Sequence, residues 1–415
     1  MSLLTAYKEQ KLICVELSLL SLMIISLPSL EAPKNIFLVF FVGVAVLRQL
    51  KTMSLRAWGN WDWMFLAIVV SAFLSTVFAG LTPGDEWSGF RVLLTFIGVG
   101  WLLSRSASSD IELSWIFWMA ILSAVPPLLF GLWELLVIHT KNSLEIHSVG
   151  HVNHSAIYLA IIFGASFGAS LLLWHSVKTS KKIILFALPT LFYMSLIFGQ
   201  SRAAFGIGTL IGIILTILLV HNKKEMIALL FSFFVVLVSM VFINTPIVEK
   251  QIANQKKDVL SGRAVIWKTT IEAAKISPWF GIGIDNRGVL RKEDLKKSFE
   301  ARHELFDESQ YDFHFKHAHN FYLTNIAERG VVGAIVTLCF ILMWLWYLIK
   351  YFYIARLSSE GAYLWAGSVS AWVATFGIGF VNTTFHHEHG ILACLFLGLH
   401  LSYLNTHRIK LKRKT

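Results

Sequence analysis

Charge is scarce in this 415-residue chain. Only 15% of its residues are charged, 56% are apolar, and the mean hydropathy is +0.64. Too few side chains can meet water for most of the length to be a soluble domain. Cysteine is nearly absent: Cys14, Cys339 and Cys394 all fall inside apolar runs, which excludes a disulfide framework. No D-x-D pair occurs, and no H-E-x-x-H spacing or thiolate partner accompanies the histidines. Internal repeats, the mark of many transporters, are also missing.

What is present is a series of apolar runs long enough to cross a bilayer core of ~30 Å. They fall near 11–29, 35–50, 63–80, 88–104, 113–138, 155–174, 183–200, 203–220, 226–244, 320–349, 361–384 and 388–406. The expectation is an all-α polytopic membrane protein with about 12 transmembrane helices. The first run is long, lacks a small-residue cleavage site and is followed by others, so it reads as a retained helix.

Basic residues orient these spans. Lys8, Lys11, Arg48, Lys51, Arg56, Arg105, Lys178, Lys181, Lys182, Lys223, Lys224, Lys350, Arg356 and the tail Arg408–Lys414 all fall on one side. Short loops on the other side carry only Lys34, Arg91, Lys141 and Arg202. The positive-inside rule then makes both termini cytoplasmic. The formal net charge of +11 reflects this asymmetry and an anionic inner leaflet. It calls for membrane lipids as partners and no nucleic acid.

One outer segment is long. Residues 245–318 carry 13 Lys/Arg against 11 Asp/Glu, a mixed surface that suits a folded loop rather than a tail. Three parts follow: a 1–244 bundle of about nine helices, the 245–318 helical loop, and 319–415 with about three helices and a basic tail. Within the loop, Ser261 is placed to cap a helix from Gly262, with Arg263 and Trp267 on one face. Pro278 ends that helix, and Trp279–Gly283 makes a glycine-hinged turn. A second, charged helix is expected over 286–308, with Leu290, Leu295, Phe299 and Phe306 as its apolar face.

Eleven of the fifteen histidines lie on the outer side: His139, His147, His151, His154, His303, His314, His317, His319, His386, His387 and His389. Imidazole suits zinc, copper or nickel, yet these clusters read more simply as interfacial groups at helix ends. His319 stands apart because it lies where a loop re-enters the membrane, and imidazole accepts protons near neutral pH. Two arginines sit at membrane depth, Arg91 in Trp87-Ser-Gly-Phe-Arg91 and Arg202 in Gln200-Ser-Arg202-Ala-Ala. Guanidinium there costs several kcal/mol and marks a partner, most simply a phosphate.

Four motifs in order then resemble the O-antigen ligase/polymerase superfamily. Gln200–Ala204 resembles its S-R-[GA]-[AG] helix start. Ser261-Gly262-Arg263 through Trp267 is similar to its G-R-x-x-x-W helix, followed by P-x-x-G-x-G at Pro278–Gly283. His319-Asn320 through Gly333 is similar to its H-N-x-x-L…E-x-G-x-x-G element. Gly150–Ser155 is similar to the Asn-containing turn that opens a middle span. Arg329 departs from the pattern, which leaves Glu328 free to serve as a local pairing group.

This resemblance implies a metal-independent, inverting glycosyltransferase of the membrane-embedded C class, with no cofactor. It would take a glycan from undecaprenyl diphosphate, on the periplasmic face of a bacterial inner membrane. The catalytic residues implied are His319, as general base, with Arg202 and Arg263 neutralising the diphosphate. Arg91, Asn153, His154, Trp267, His317 and Asn320 would bind substrate. One large late loop and the compact length point to an O-antigen ligase with lipid A–core oligosaccharide as acceptor. An O-antigen polymerase and a protein O-oligosaccharyltransferase are the alternatives within the superfamily. Outside it, the alternative is a transporter of lipid-linked glycans or small solutes.

Overall fold

A computed structural model describes residues 3–51, 58–106, 109–146, 152–242 and 263–412. Among these residues the fold is entirely helical. In the first part of the chain run α1 (Leu3–Ser26), α2 (Glu31–Lys51), α3 (Asn60–Val77), α4 (Glu86–Arg105), α5 (Asp110–Leu122) and α6 (Val125–Trp133). A π turn, Glu134–Ile138, extends α6. Next come α7 (Val152–Leu173), α8 (Thr179–Phe198), α9 (Arg202–Leu219) and α10 (Lys223–Phe242). The loop supplies α11 (Arg263–Ile276) and α12 (Lys292–Ala301). The chain finishes with α13 (Phe321–Lys350), the short α14 (Phe352–Ala355), α15 (Ser359–Ile378) and α16 (His387–Lys412).

Eight helical stretches are long and apolar enough to cross a membrane: α2, α3, α4, the continuous Asp110–Ile138 run, α7, α8, α9 and α13. The other four expected spans fall on α1, α10, α15 and α16. This is a multi-pass membrane protein. Its centre is α7, almost wholly buried between α8, α9 and α15. Small residues permit that packing: a Cβ on Gly164 would lie 2.3 Å from Ser370 Oγ, and one on Gly168 2.5 Å from Ala366 Cβ.

Three buried ion pairs tie helices of the bundle together. Arg48 grips Glu16 through both Nε and Nη2, the latter at 2.9 Å, joining α1 to α2. Arg105 meets Asp62 at 2.7 Å between α4 and α3. Lys34 bonds Glu388 at 2.6 Å and Glu31 at 2.7 Å, tying α2 to the start of α16. A lone buried charge would cost far more than such pairs gain, so the pairing itself is the requirement.

The loop has a small core of its own, built from Ala273, Ile282, Leu290, Leu295 and Ala327 with Phe306, Tyr311 and Phe313 against it. The expected second helix is shorter than 286–308. Only Lys292–Ala301 is α-helical, between 3-10 turns at Asn286–Val289 and Glu308–Gln310. Asn286 explains the break. Its fully buried amide donates to Leu81 O (2.8 Å) and Ile282 O (2.9 Å) and accepts from Asp85 N–H (2.7 Å). A residue pinned inward on three sides cannot begin a surface helix. The cap expected at Ser261 lies outside the described residues, and α11 begins at Arg263.

The two glycine motifs bind each other, backbone to backbone. Ile282 N–H donates to Ala327 O (2.9 Å) and Gly283 N–H to Glu328 O (3.1 Å). In return, Val331 N–H donates to Pro278 O (2.8 Å) and Val332 N–H to Trp279 O (3.2 Å). The clasp breaks α13 at Gly330, whose φ of 63° and ψ of −170° are not helical. The break exposes the carbonyls that the turn then satisfies. A Cβ on Gly330 would lie 2.4 Å from Trp279 C, and one on Gly281 (φ 80°) 2.3 Å from Glu328 C. Arg329 leaves this junction toward α3, donating to Ser71 Oγ at 2.7 Å and Thr337 Oγ1 at 3.1 Å. Glu328 instead receives backbone N–H groups of Asp285 and Arg287.

Gly330→Ala should therefore destabilise the protein by at least roughly 1–3 kcal/mol, the usual scale of left-handed strain. Thermal unfolding in lipid nanodiscs checks this, with Gly43→Ala as control because nothing lies within 4 Å of its added Cβ. Equal melting temperatures for the two variants would remove the clasp from the account.

Candidate active site

The site starts at the turn between α8 and α9. Gly199 ends α8, and Gln200 turns the chain in the left-handed region (φ 49°) while its amide donates to Asn142 O at 2.7 Å. Arg202 follows as the first, exposed residue of α9. Arg263 is the first described residue of α11 and is half-buried. Its pKa is lowered, first by burial and then by the positive charge of Arg202. Arg202, 61 residues earlier in sequence, is thus within electrostatic reach of Arg263. Among the described residues no acid offsets this effect on Arg263. Guanidinium groups so placed offer planar, charged donors that suit an anion bearing several negative oxygens.

One turn along α11, Trp267 donates from Nε1 to Ala318 O at 3.0 Å. That bond fixes the histidine loop against the arginine helix. Thr269 Oγ1 accepts from Asp312 N–H (2.8 Å), and the Asp312 carboxylate receives the N–H groups of His314 (3.0 Å) and Phe315 (3.2 Å). Arg287, 1% exposed, closes the frame by donating to Asp312 O at 3.0 Å and Thr270 Oγ1 at 3.3 Å. Burial lowers its pKa, while Asp312 and Glu328 oppose the shift. Nothing in the sequence separates Arg287 from the other loop arginines; its role follows only from the packing.

His317 and His319 are both half-buried on this loop. His319 holds a φ of 48°, which a side-chain-bearing residue adopts only when its surroundings fix it. Its ring lies 5.9 Å from that of Phe315. Asn320 is 9% exposed and its amide is engaged: Oδ1 caps α13 by accepting Leu323 N–H at 3.0 Å, and Nδ2 donates to Phe380 O at 2.9 Å. Phe321 N–H adds a bond to Gly379 O at 2.8 Å. Asn320 therefore sets the position of His319 through the backbone.

Arg91 is exposed on α4, with Nη2 3.5 Å from Ser88 Oγ. Glu86, in the same helix, accepts from Asn286 Nδ2 at 3.1 Å. Asn153 and His154 are half-buried in the first turn of α7. His154 faces His386, His387 and His389, with ring centroids 4.9, 5.2 and 5.2 Å apart. His317 reaches the same group, 5.7 Å from His386. Asp285, within electrostatic reach of His387 and Lys316, was also not singled out in the sequence. His147 and His151 lie outside the described residues.

Residues 184–338 match the sequence model of a family described as O-antigen ligase. The matched stretch contains Arg202, Arg263, Trp267, His317, His319 and Asn320, and both halves of the glycine clasp. Arg91, Asn153, His154 and the histidines at 386–389 lie outside it. A curated relative, exopolysaccharide production protein ExoQ of Rhizobium meliloti (strain 1021), is 33% identical over 81 residues. That alignment covers 20% of this chain and 17% of the relative's length. The arginine pair, the histidine loop and the clasp that joins them all fall within the stretch that is similar to the O-antigen ligase family.

Proposed function

We propose that this protein transfers O-antigen polysaccharide from undecaprenyl diphosphate to lipid A–core oligosaccharide, on the periplasmic side of the inner membrane. The observation that carries this reading is the bond of Trp267 Nε1 to Ala318 O at 3.0 Å, which joins the helix that opens with Arg263 to the loop that bears His319, with Arg202 among the charges that act on Arg263. A departing diphosphate needs its charge neutralised. Two planar guanidiniums can do this with paired hydrogen bonds to phosphate oxygens. His319 then takes the proton of the acceptor hydroxyl as it attacks the anomeric carbon, and a single displacement inverts that centre.

Trp267 offers a flat face to a sugar or to the isoprenoid. His317, Asn153, His154 and Asn320 line the acceptor approach, and Arg91 takes a distal or acceptor phosphate. The acceptor separates ligase from polymerase and from protein transferase. The single large late loop supports the ligase.

His319→Ala should lower transfer by on the order of 10²–10⁴-fold, as for loss of a general base. His317→Ala should be milder. The check is formation of joined glycan by purified enzyme in nanodiscs with both lipid substrates. Wild-type rates in His319→Ala would end the assignment. Movement of glycan across vesicles without a joined product would favour a transporter.

Arg202→Lys and Arg263→Lys keep the charge but lose the fork. Each should weaken donor binding by on the order of tenfold or more, the worth of a charged hydrogen bond, with lipid A–core binding unchanged. The reverse pattern, acceptor binding lost and donor binding kept, would assign the arginines to the acceptor.

Because arginines occupy the role that a divalent ion plays elsewhere, chelation should leave the transfer rate unaltered. Activity lost to a chelator and regained with Mn²⁺ or Mg²⁺ would count against that assignment.

A further inference from the structure

Three histidine groups far apart in sequence meet in space. His154 opens α7, His386 ends the connection from α15 to α16, and His389 lies in the first turn of α16. One ring nitrogen from each lies within 4.8 Å of the other two. Ring centroids of His386 and His389 are 5.1 Å apart, and His387 packs 4.3 Å from His386. Such a convergence is not what independent interfacial histidines produce.

We propose that His154, His386 and His389 form a binding site for a divalent transition-metal ion of the zinc class. Neutral imidazole is a preferred ligand for these ions, and three imidazoles with one open position is a recurrent zinc arrangement. Metal-bound nitrogens at Zn–N distances of ~2.0–2.1 Å stand about 3.3 Å apart, so small side-chain rotations bring the rings together. His386 Nε2 is buried with no hydrogen-bond partner, a cost that a ligand removes.

The backbone agrees. Phe385 (φ 64°) and His387 (φ 49°), on either side of His386, are both left-handed, as strained residues at ligand clamps often are. The neighbouring acid, Glu388, already pairs with Lys34 at 2.6 Å, so the three rings are the donors. A bound ion would tie the start of α7 to the α15–α16 connection, beside His317. The three ligands lie outside the family-matched stretch, and the site is distinct from the arginine pair that handles diphosphate.

The test uses tag-free, full-length protein in nanodiscs, stripped with chelator and titrated with zinc alone by calorimetry. Cobalt(II) absorption reports ligand geometry. Wild type should bind one ion per chain. His386→Ala and His389→Ala should each weaken binding by more than the roughly 10–100-fold that outer-shell changes cost. His303→Ala, on the exposed loop surface, should bind as wild type does. Absence of stoichiometric binding by wild type would overturn the proposal without any variant. So would unchanged affinity in a His386→Ala/His389→Ala double variant. His154→Gln, at a half-buried position, serves if the alanine variants fold poorly. Binding is read without glycan substrates, so its failure leaves the transfer reading untouched.

Discussion

Four backbone hydrogen bonds between the Pro278–Gly283 turn and the broken α13 decide where everything else at the site can be. A continuous helix at Gly330 would keep its carbonyls to itself, leaving the loop to rest on the bundle through side chains alone. Breaking the helix turns those carbonyls and N–H groups outward, and the turn takes them up. The same turn reaches the α3–α4 connection, where Gly80 and Leu81 donate to Gly281 O and Ile282 O at 3.0 and 3.1 Å. Loop, α3 and α13 are joined at one point, so α11 is held at a fixed place against α13.

From that placement the chemistry follows by short steps. Arg263 lies one turn from Trp267, Trp267 holds Ala318, and Ala318 separates the two loop histidines. Backbone strain gathers here as well: Gln200, His319, Phe385 and His387 all have positive φ. Each is fixed by neighbours rather than by its own preference, the usual circumstance of a preorganised site. The like-charged arginines belong to the same region, with Arg202 lowering the pKa of Arg263 after burial does.

Much of this was legible in the residues. The apolar runs located the helices, because span length and hydropathy are local properties. Gly281, Gly283, Gly330 and Gly333 were visible as motifs, although their purpose, a mutual backbone clasp, needs two segments at once. The course of 286–308 was misjudged because charge pattern suggests a surface helix, whereas the buried contacts of Asn286 with Leu81 and Asp85 come from two hundred residues away. The histidine groups at 154, 317 and 386–389 looked like separate helix ends for the same reason. Periodicity says which residues share a face of one helix and nothing about which helices share an end.

The central claim is that Arg202 and Arg263 serve one anion together. A double-mutant cycle on donor binding addresses it directly, using Arg202→Ala, Arg263→Ala and the pair, with undecaprenyl-diphosphate glycan and protein in nanodiscs. If both guanidiniums grip the same diphosphate, the losses should be strongly non-additive, with a coupling of about 0.5–3 kcal/mol between the sites. Strictly additive losses, or one arginine without effect, would mean that the two cations serve different groups and would contradict the account.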